Sequence, residues 1–171
     1  MSAPGPQEND LVETWLEAHA LGYGGLTKDE RTTIKDFVML WSLFEVSALD
    51  AKGSANKILK AVESLHASGR LDLPPFAGPM VYFFSRYHNG ADFTAHFPHL
   101  NLRKNDHPTL VKEVLLQQRT DDVSKLAALL IIVYRLRNNF LHGEKWNYGL
   151  GGQLDNFRNA RAVLMTYMER Y

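Results

Sequence analysis

Apolar residues recur along most of this chain with the three- and four-residue spacing of amphipathic helices. A short helix is predicted from Asp10, its N-cap, to Ala20, stopping before the cluster Gly22, Gly24 and Gly25. Thr27 to Glu30 reads T-K-D-E, a capping box in which a hydroxyl and a carboxylate each satisfy a backbone N–H. It opens a second helix running to about Ala51 and stopping near Gly53. Ser54 caps a third, ending near Gly69. The stretch from Arg70 to Pro108 holds five of the seven prolines and four of the seven histidines, so a single helical piece, Pro79 to Tyr87, is expected in an otherwise irregular segment. Pro108 starts a helix to about Gln118, and Thr120 or Asp121 caps a long one reaching about Leu141, ended by Gly143. Gly149, Gly151 and Gly152 link it to a last helix, Leu154 to Tyr171. No segment alternates like a strand, and no internal repeat is present. The pattern predicts an all-α, up-and-down bundle of four to five main helices with a Pro/His-rich insertion. It forms one domain over residues 10–171, behind a flexible leader of residues 1–9.

Two helices carry polar residues in unusual places. On the long helix, Leu126, Leu129, Val133, Leu136 and Phe140 form a stripe of roughly 80°, and Arg137 sits about 20° beyond its edge. A guanidinium there must find hydrogen-bonding partners. A second stripe, Ala127, Ile131, Tyr134, Asn138 and His142, lies on another side. A helix apolar on two sides is either central in its domain or covered by a second chain. The preferred expectation is one face in the core and the other in a homodimer contact. On the helix from Asp29, Ile34, Val38 and Trp41 define an apolar face with Phe37 and Phe44 beside it, and Glu45 falls on the same line. A carboxylate there needs a partner or a route to water. Arg137 is the partner expected.

Composition narrows the classes. At 171 residues the chain fits one domain, given roughly 100–200 residues per domain. Lys and Arg number 19 and so do Asp and Glu, which excludes a binder that relies on bulk positive charge but leaves a local basic patch open. There is no cysteine, which excludes a disulfide scaffold, a thiolate zinc site and a cysteine nucleophile. A reducing cytoplasm is the default compartment. The longest apolar run, Leu126 to Tyr134, falls well short of the roughly 18 residues of a membrane span. The opening MSAPGPQEND has no secretory pattern.

The segment Tyr134 to Trp146 reads YRLRNNFLHGEKW. Arg137, Asn138 and His142 within it have the form R-x4-H with a polar residue after the arginine, at the end of an apolar helix and before Gly143. This resembles the signature of the HEPN superfamily, in its RNase-type, Apea-like or similar form. The run W-S-L-F-E, Trp41 to Glu45, resembles the first-helix pattern of such domains. The resemblance implies a HEPN-like bundle and a metal-independent endoribonuclease. It implies two motifs facing one another across a homodimer and, by association, a toxin–antitoxin or antiviral defence setting with a cognate antitoxin or regulator. Some family members carry a tyrosine two residues after the histidine as a target of inhibitory nucleotide transfer; here that position is Glu144, which speaks against such regulation.

The residue chemistry suits the same reaction. Attack of an RNA 2′-hydroxyl on its phosphate needs a proton removed, a proton delivered to the 5′-oxygen, and charge relief at phosphorus. A histidine, with a pKa of about 6.5, serves the proton steps, and an arginine fork serves the charge. His142 is the expected acid/base, Arg137 the charge stabiliser and Asn138 the orienting residue, with Glu45 supporting Arg137. Arg137 and His142 are about 140° apart on a regular helix, so they converge only through a break near Gly143 or through a second copy. Lys145 is a further candidate for phosphate, and Trp146 either stacks on a base or packs on the bundle.

Other features read more plainly. His96, His99 and His107, with Asp92 or Asp106 as a fourth ligand, have loose spacing for zinc and are expected as surface or turn residues. Arg103 with Lys104, and Arg158 with Arg161, are basic pairs; the latter share a helix face and are candidates for RNA contact. Tyr82, Phe83, Phe84 and Tyr87 are expected in the core. No cofactor, metal or membrane partner is expected. The alternative function is a non-catalytic helical dimer that binds RNA, a nucleotide or a protein, with Arg137 and His142 structural.

Overall fold

The computed structural model describes residues 8–141 and 152–170. The helices are α1 (Glu8–His19), α2 (Lys28–Ala48), α3 (Ala55–Ala67), α4 (Ala77–Tyr87), α5 (Pro108–Leu115), α6 (Asp122–Leu141) and α7 (Leu154–Met168). Among the described residues no strand forms; His88 and Phe93 make an isolated bridge. The chain is an all-α bundle. The predicted caps operate: Thr27 Oγ1 accepts from the Glu30 amide at 3.2 Å, the Glu30 carboxylate accepts from the Thr27 amide at 2.9 Å, and Ser54 Oγ accepts from the Lys57 amide at 3.2 Å. Glu8 and Asn9 belong to α1, not to a leader.

α6 is the central helix. Ala127 to Val133 are fully buried, enclosed by α3, α5, α4 and α7. The second stripe is therefore covered from within the chain at Ala127, Ile131 and Asn138, which corrects the expectation that it forms a dimer contact. Its last member, His142, the stop at Gly143 and the link residues Gly149 and Gly151 lie outside the described residues.

α2 differs from expectation in two ways. Its buried line is Thr33, Phe37, Trp41 and Phe44, while Val38 is exposed. The cause is α7, which lies along α2 and meets Phe37 with Phe157 and Phe44 with Tyr167 at ring separations of 5.2 and 5.3 Å. Its end comes at Ala48 rather than Ala51, because Asp50 and Ala51 take left-handed φ values of 52° and 54° and turn the chain sharply. α5 likewise ends at Leu115, short of Gln118; Gln117 has φ 59°.

The insertion is tied to α6 by a buried polar knot. Arg135, 1% exposed, reaches Asp106 Oδ2 at 3.1 Å, donates from Nε to the Leu100 carbonyl at 3.1 Å and from Nη2 to Asn139 Oδ1 at 3.1 Å. Asn139 Nδ2 donates to the carbonyls of His99 and Leu100, and Asp106 Oδ2 accepts from the Arg103 amide at 2.8 Å. A buried charge persists only when paired and hydrogen-bonded, and this one is both.

Candidate functional site

The last turn of α6 lies against the C-terminal half of α2, and there the two sequence anomalies meet. Arg137 Nη2 is 3.6 Å from Glu45 Oε2, with a quarter of the arginine side chain exposed. Its Nη1 donates to Asn138 Oδ1 at 2.9 Å. Its Cζ lies 5.8 Å from the Trp41 ring centroid, at the outer limit of a cation–π contact. Its Nε is buried and, among the described residues, without a hydrogen-bond partner. The two terminal nitrogens are thus each braced once, and of the five N–H groups three are uncommitted among the described residues, the buried Nε–H among them. A partly exposed pair at this distance contributes about 1 kcal/mol or less to stability, so its effect is orientation.

Glu45 is held more tightly than its arginine. Trp41 Nε1 donates to Oε2 at 3.0 Å, and the Gly53 amide donates to Oε1 at 2.7 Å. Trp41 is itself buried, 5.8 Å from the Tyr134 ring. Sequence reasoning paired Glu45 with Arg137 but read Trp41 as a core residue only, and Gly53 as a helix stop. The indole's donor is a readable signal, since a buried tryptophan N–H usually finds a partner. Nothing in the sequence points to Gly53.

Arg135 lies two residues before Arg137, and the two differ sharply. Arg135 spends its donors on the insertion, whereas Arg137 reaches the surface. The run of α6 buried on all sides is the signal that any charge within it must be structural. Asn138 is 5% exposed and engages Arg137. His142, Lys145 and Trp146 lie outside the described residues.

Arg158 and Arg161 stand elsewhere. Arg158 donates to Asp29 and lies 3.5 Å from Asp155, and Arg161 donates to Asp36, strapping α7 to α2. Asp36 and Glu45 are nine residues apart, about 180° round α2. The two basic groups therefore flank opposite sides of that helix and do not share a groove.

His107 Nε2 is 2.6 Å from Asn56 Oδ1, and His96 and His99 are exposed. Asp106, considered as a metal ligand, is instead the partner of Arg135. Among the described residues no three acidic or histidine side chains gather as a ligand set. Phe83 and Tyr87 are buried, as expected of that aromatic run, and burial pushes the Tyr87 hydroxyl up to about 12. Among the described residues, no helix is long and apolar enough to cross a membrane.

An exposed apolar face borders the site. Val38 lies about 20° round α2 from Glu45, and from it Met39, Leu43 and Val46 continue the face away from the core. Leu141, at the end of α6, is also exposed. No protein-family model, curated protein or solved structure matches this chain.

Proposed function

We propose that this chain is a HEPN-type, metal-independent endoribonuclease acting as a homodimer. The observation that carries the reading is Arg137: a guanidinium a quarter exposed, braced by Glu45 and Asn138, five residues before the histidine of R-N-N-F-L-H. A braced fork with further N–H groups on its two terminal nitrogens suits a phosphate whose charge grows in the transition state, because its orientation is set before the charge arrives.

In the proposed reaction the 2′-oxygen of RNA forms a bond to the adjacent phosphorus and the bond from phosphorus to the 5′-oxygen breaks. One proton leaves the 2′-hydroxyl and one reaches the 5′-oxygen, giving a 2′,3′-cyclic phosphate and a 5′-hydroxyl. His142 carries a proton in this step, and the facing copy of the motif carries the other. Lys145 and Trp146 are proposed to meet phosphate and base. The exposed face Val38, Met39, Leu43 and Val46 is the proposed contact for the second copy: it is apolar, uncovered among the described residues, and begins beside Glu45, where a composite site requires the partner. A cytoplasmic role in toxin–antitoxin or antiviral defence, with a cognate regulator, belongs to the same reading.

The test is cleavage of varied RNAs in EDTA by wild type, Arg137→Ala and His142→Ala. The expected result is metal-free cleavage with 2′,3′-cyclic ends, lowered on the order of 10²–10⁴-fold in each variant. Absence of cleavage by the wild type would sink the enzyme reading and leave a helical dimer that binds RNA, a nucleotide or a protein.

A further inference from the structure

The corner joining α2 to α3 is built in an unfavourable way. Asp50 and Ala51 are consecutive non-glycine residues with left-handed φ, a conformation that crowds Cβ against the following carbonyl. Such strain persists only where the surroundings over-determine it. Here the Glu45 carbonyl accepts both the Leu49 amide at 3.2 Å and the Ala51 amide at 2.9 Å, and Leu49 is fully buried. Lys57 of α3 closes the corner by pairing with Asp50.

The corner's one glycine stands two residues later, at Gly53, whose φ is not in the left-handed range. Backbone conformation does not require glycine there; contact does. A Cβ at Gly53 would lie 2.5 Å from Glu45 Oε1, 3.2 Å from its Cδ and 3.4 Å from Trp41 Cζ2. The turn thus drives a bare Cα and its amide N–H onto a carboxylate. That amide takes Oε1 at 2.7 Å, leaving Oε2 to accept Trp41 Nε1 at 3.0 Å and to face Arg137 Nη2 at 3.6 Å.

We propose that Gly53 is a positioning residue for Arg137: the strained α2–α3 corner presses its amide onto Glu45, and the fixed carboxylate sets the guanidinium. The placement follows from geometry alone, while its consequence for RNA cleavage rests on the ribonuclease reading above.

The variants Gly53→Ala and Glu45→Gln separate the two. The atom that a methyl group at position 53 would strike is the end of a flexible side chain, so Gly53→Ala should fold and release the carboxylate. Glu45→Gln removes the charge facing Arg137 and leaves one acceptor oxygen where Gly53 and Trp41 each donate. In ¹⁵N spectra of the full chain, Gly53→Ala should shift both the Trp41 indole N–H and the Arg137 Nε–H. Glu45→Gln should shift the arginine signal, which is assigned by its loss in Arg137→Lys, and one of the two donors to residue 45, the Gly53 amide or the Trp41 indole, while the other holds its place. Cleavage by Gly53→Ala should fall in kcat roughly tenfold, equivalent to about 1.4 kcal/mol, with KM little changed. An Arg137 signal in Gly53→Ala at its wild-type position overturns the positioning role, as does an unchanged kcat beside an active wild type. Shifted signals in a chain that cleaves no RNA uphold the corner's placement of Arg137 and overturn the ribonuclease reading instead.

Discussion

At the scale of single residues, the account turns on the company each charge keeps. Arg135 and Arg137 are two positions apart, yet one is sealed among carbonyls and a carboxylate while the other keeps a quarter of its side chain exposed. Removing Arg135 leaves the Asp106 carboxylate buried without its counter-ion, so Arg135→Met should cost about 3–5 kcal/mol in denaturant unfolding. Arg135→Met combined with Asp106→Leu should cost less than the single change; a double variant no better than the single one would contradict the pairing. The corner residue Ala51 gives the opposite sign. At φ 54°, glycine relieves steric crowding that outweighs the entropy it adds to the unfolded chain, so Ala51→Gly should stabilise by about 0.5–1 kcal/mol. A lowered melting temperature would show that the corner is not strained. The pairing of Arg137 with Glu45 was legible in the sequence, because a charge at the edge of an apolar stripe needs a partner. Gly53 was not: its contact with Glu45 exists only after two left-handed residues have bent the chain back.

Among the elements, α1 is held by one carboxylate. Glu13 pairs with Lys35, reaches Arg31 Nη1 at 2.9 Å, and accepts from the Tyr23 hydroxyl at 3.2 Å, while Glu17 adds a contact to Arg31 at 2.7 Å. Lys35 foremost, then Arg31 and Tyr23, hold the Glu13 carboxyl down from 4.5 to about 2, against the opposing effect of burial. A depressed carboxyl stabilises the folded state fully above its unfolded pKa and loses that contribution as pH falls toward its folded one. Amide protection in α1 should therefore fade between about pH 4.5 and pH 2, and Glu13→Gln should lose it at neutral pH. Protection in α1 that is flat across this window would contradict the latch. Helix positions were legible to within a few residues because caps and periodicity are local. The orientation of α2 was not, because α7 turns Phe37 and Phe44 inward and leaves Val38 outside. Two apolar stripes on α6 announced a buried helix, but only packing decides whether the same chain or a second one buries them.

For the whole molecule, neutral overall charge and an uncovered apolar face act together. With 19 charges of each sign and Arg158 and Arg161 neutralised by α2, the described surface offers little bulk attraction for RNA. Engagement then depends on a local site, and in the proposed dimer that site is doubled. Leu43 is 57% exposed, so Leu43→Glu should leave the melting temperature almost unchanged. It should convert a sedimenting dimer to a monomer and abolish cleavage with it. A Leu43→Glu protein that remains dimeric would move the interface elsewhere.

The central claim is that a braced arginine and a nearby histidine cleave RNA without metal. The most direct measurement is the rate of RNA cleavage in EDTA by wild type and by Arg137→Ala, with the ends of the products identified. The account predicts 2′,3′-cyclic phosphate ends from the wild type and a rate lower on the order of 10²-fold or more in the variant. Wild-type cleavage that requires added divalent metal, or an Arg137→Ala protein that cleaves as fast as the wild type, would contradict it.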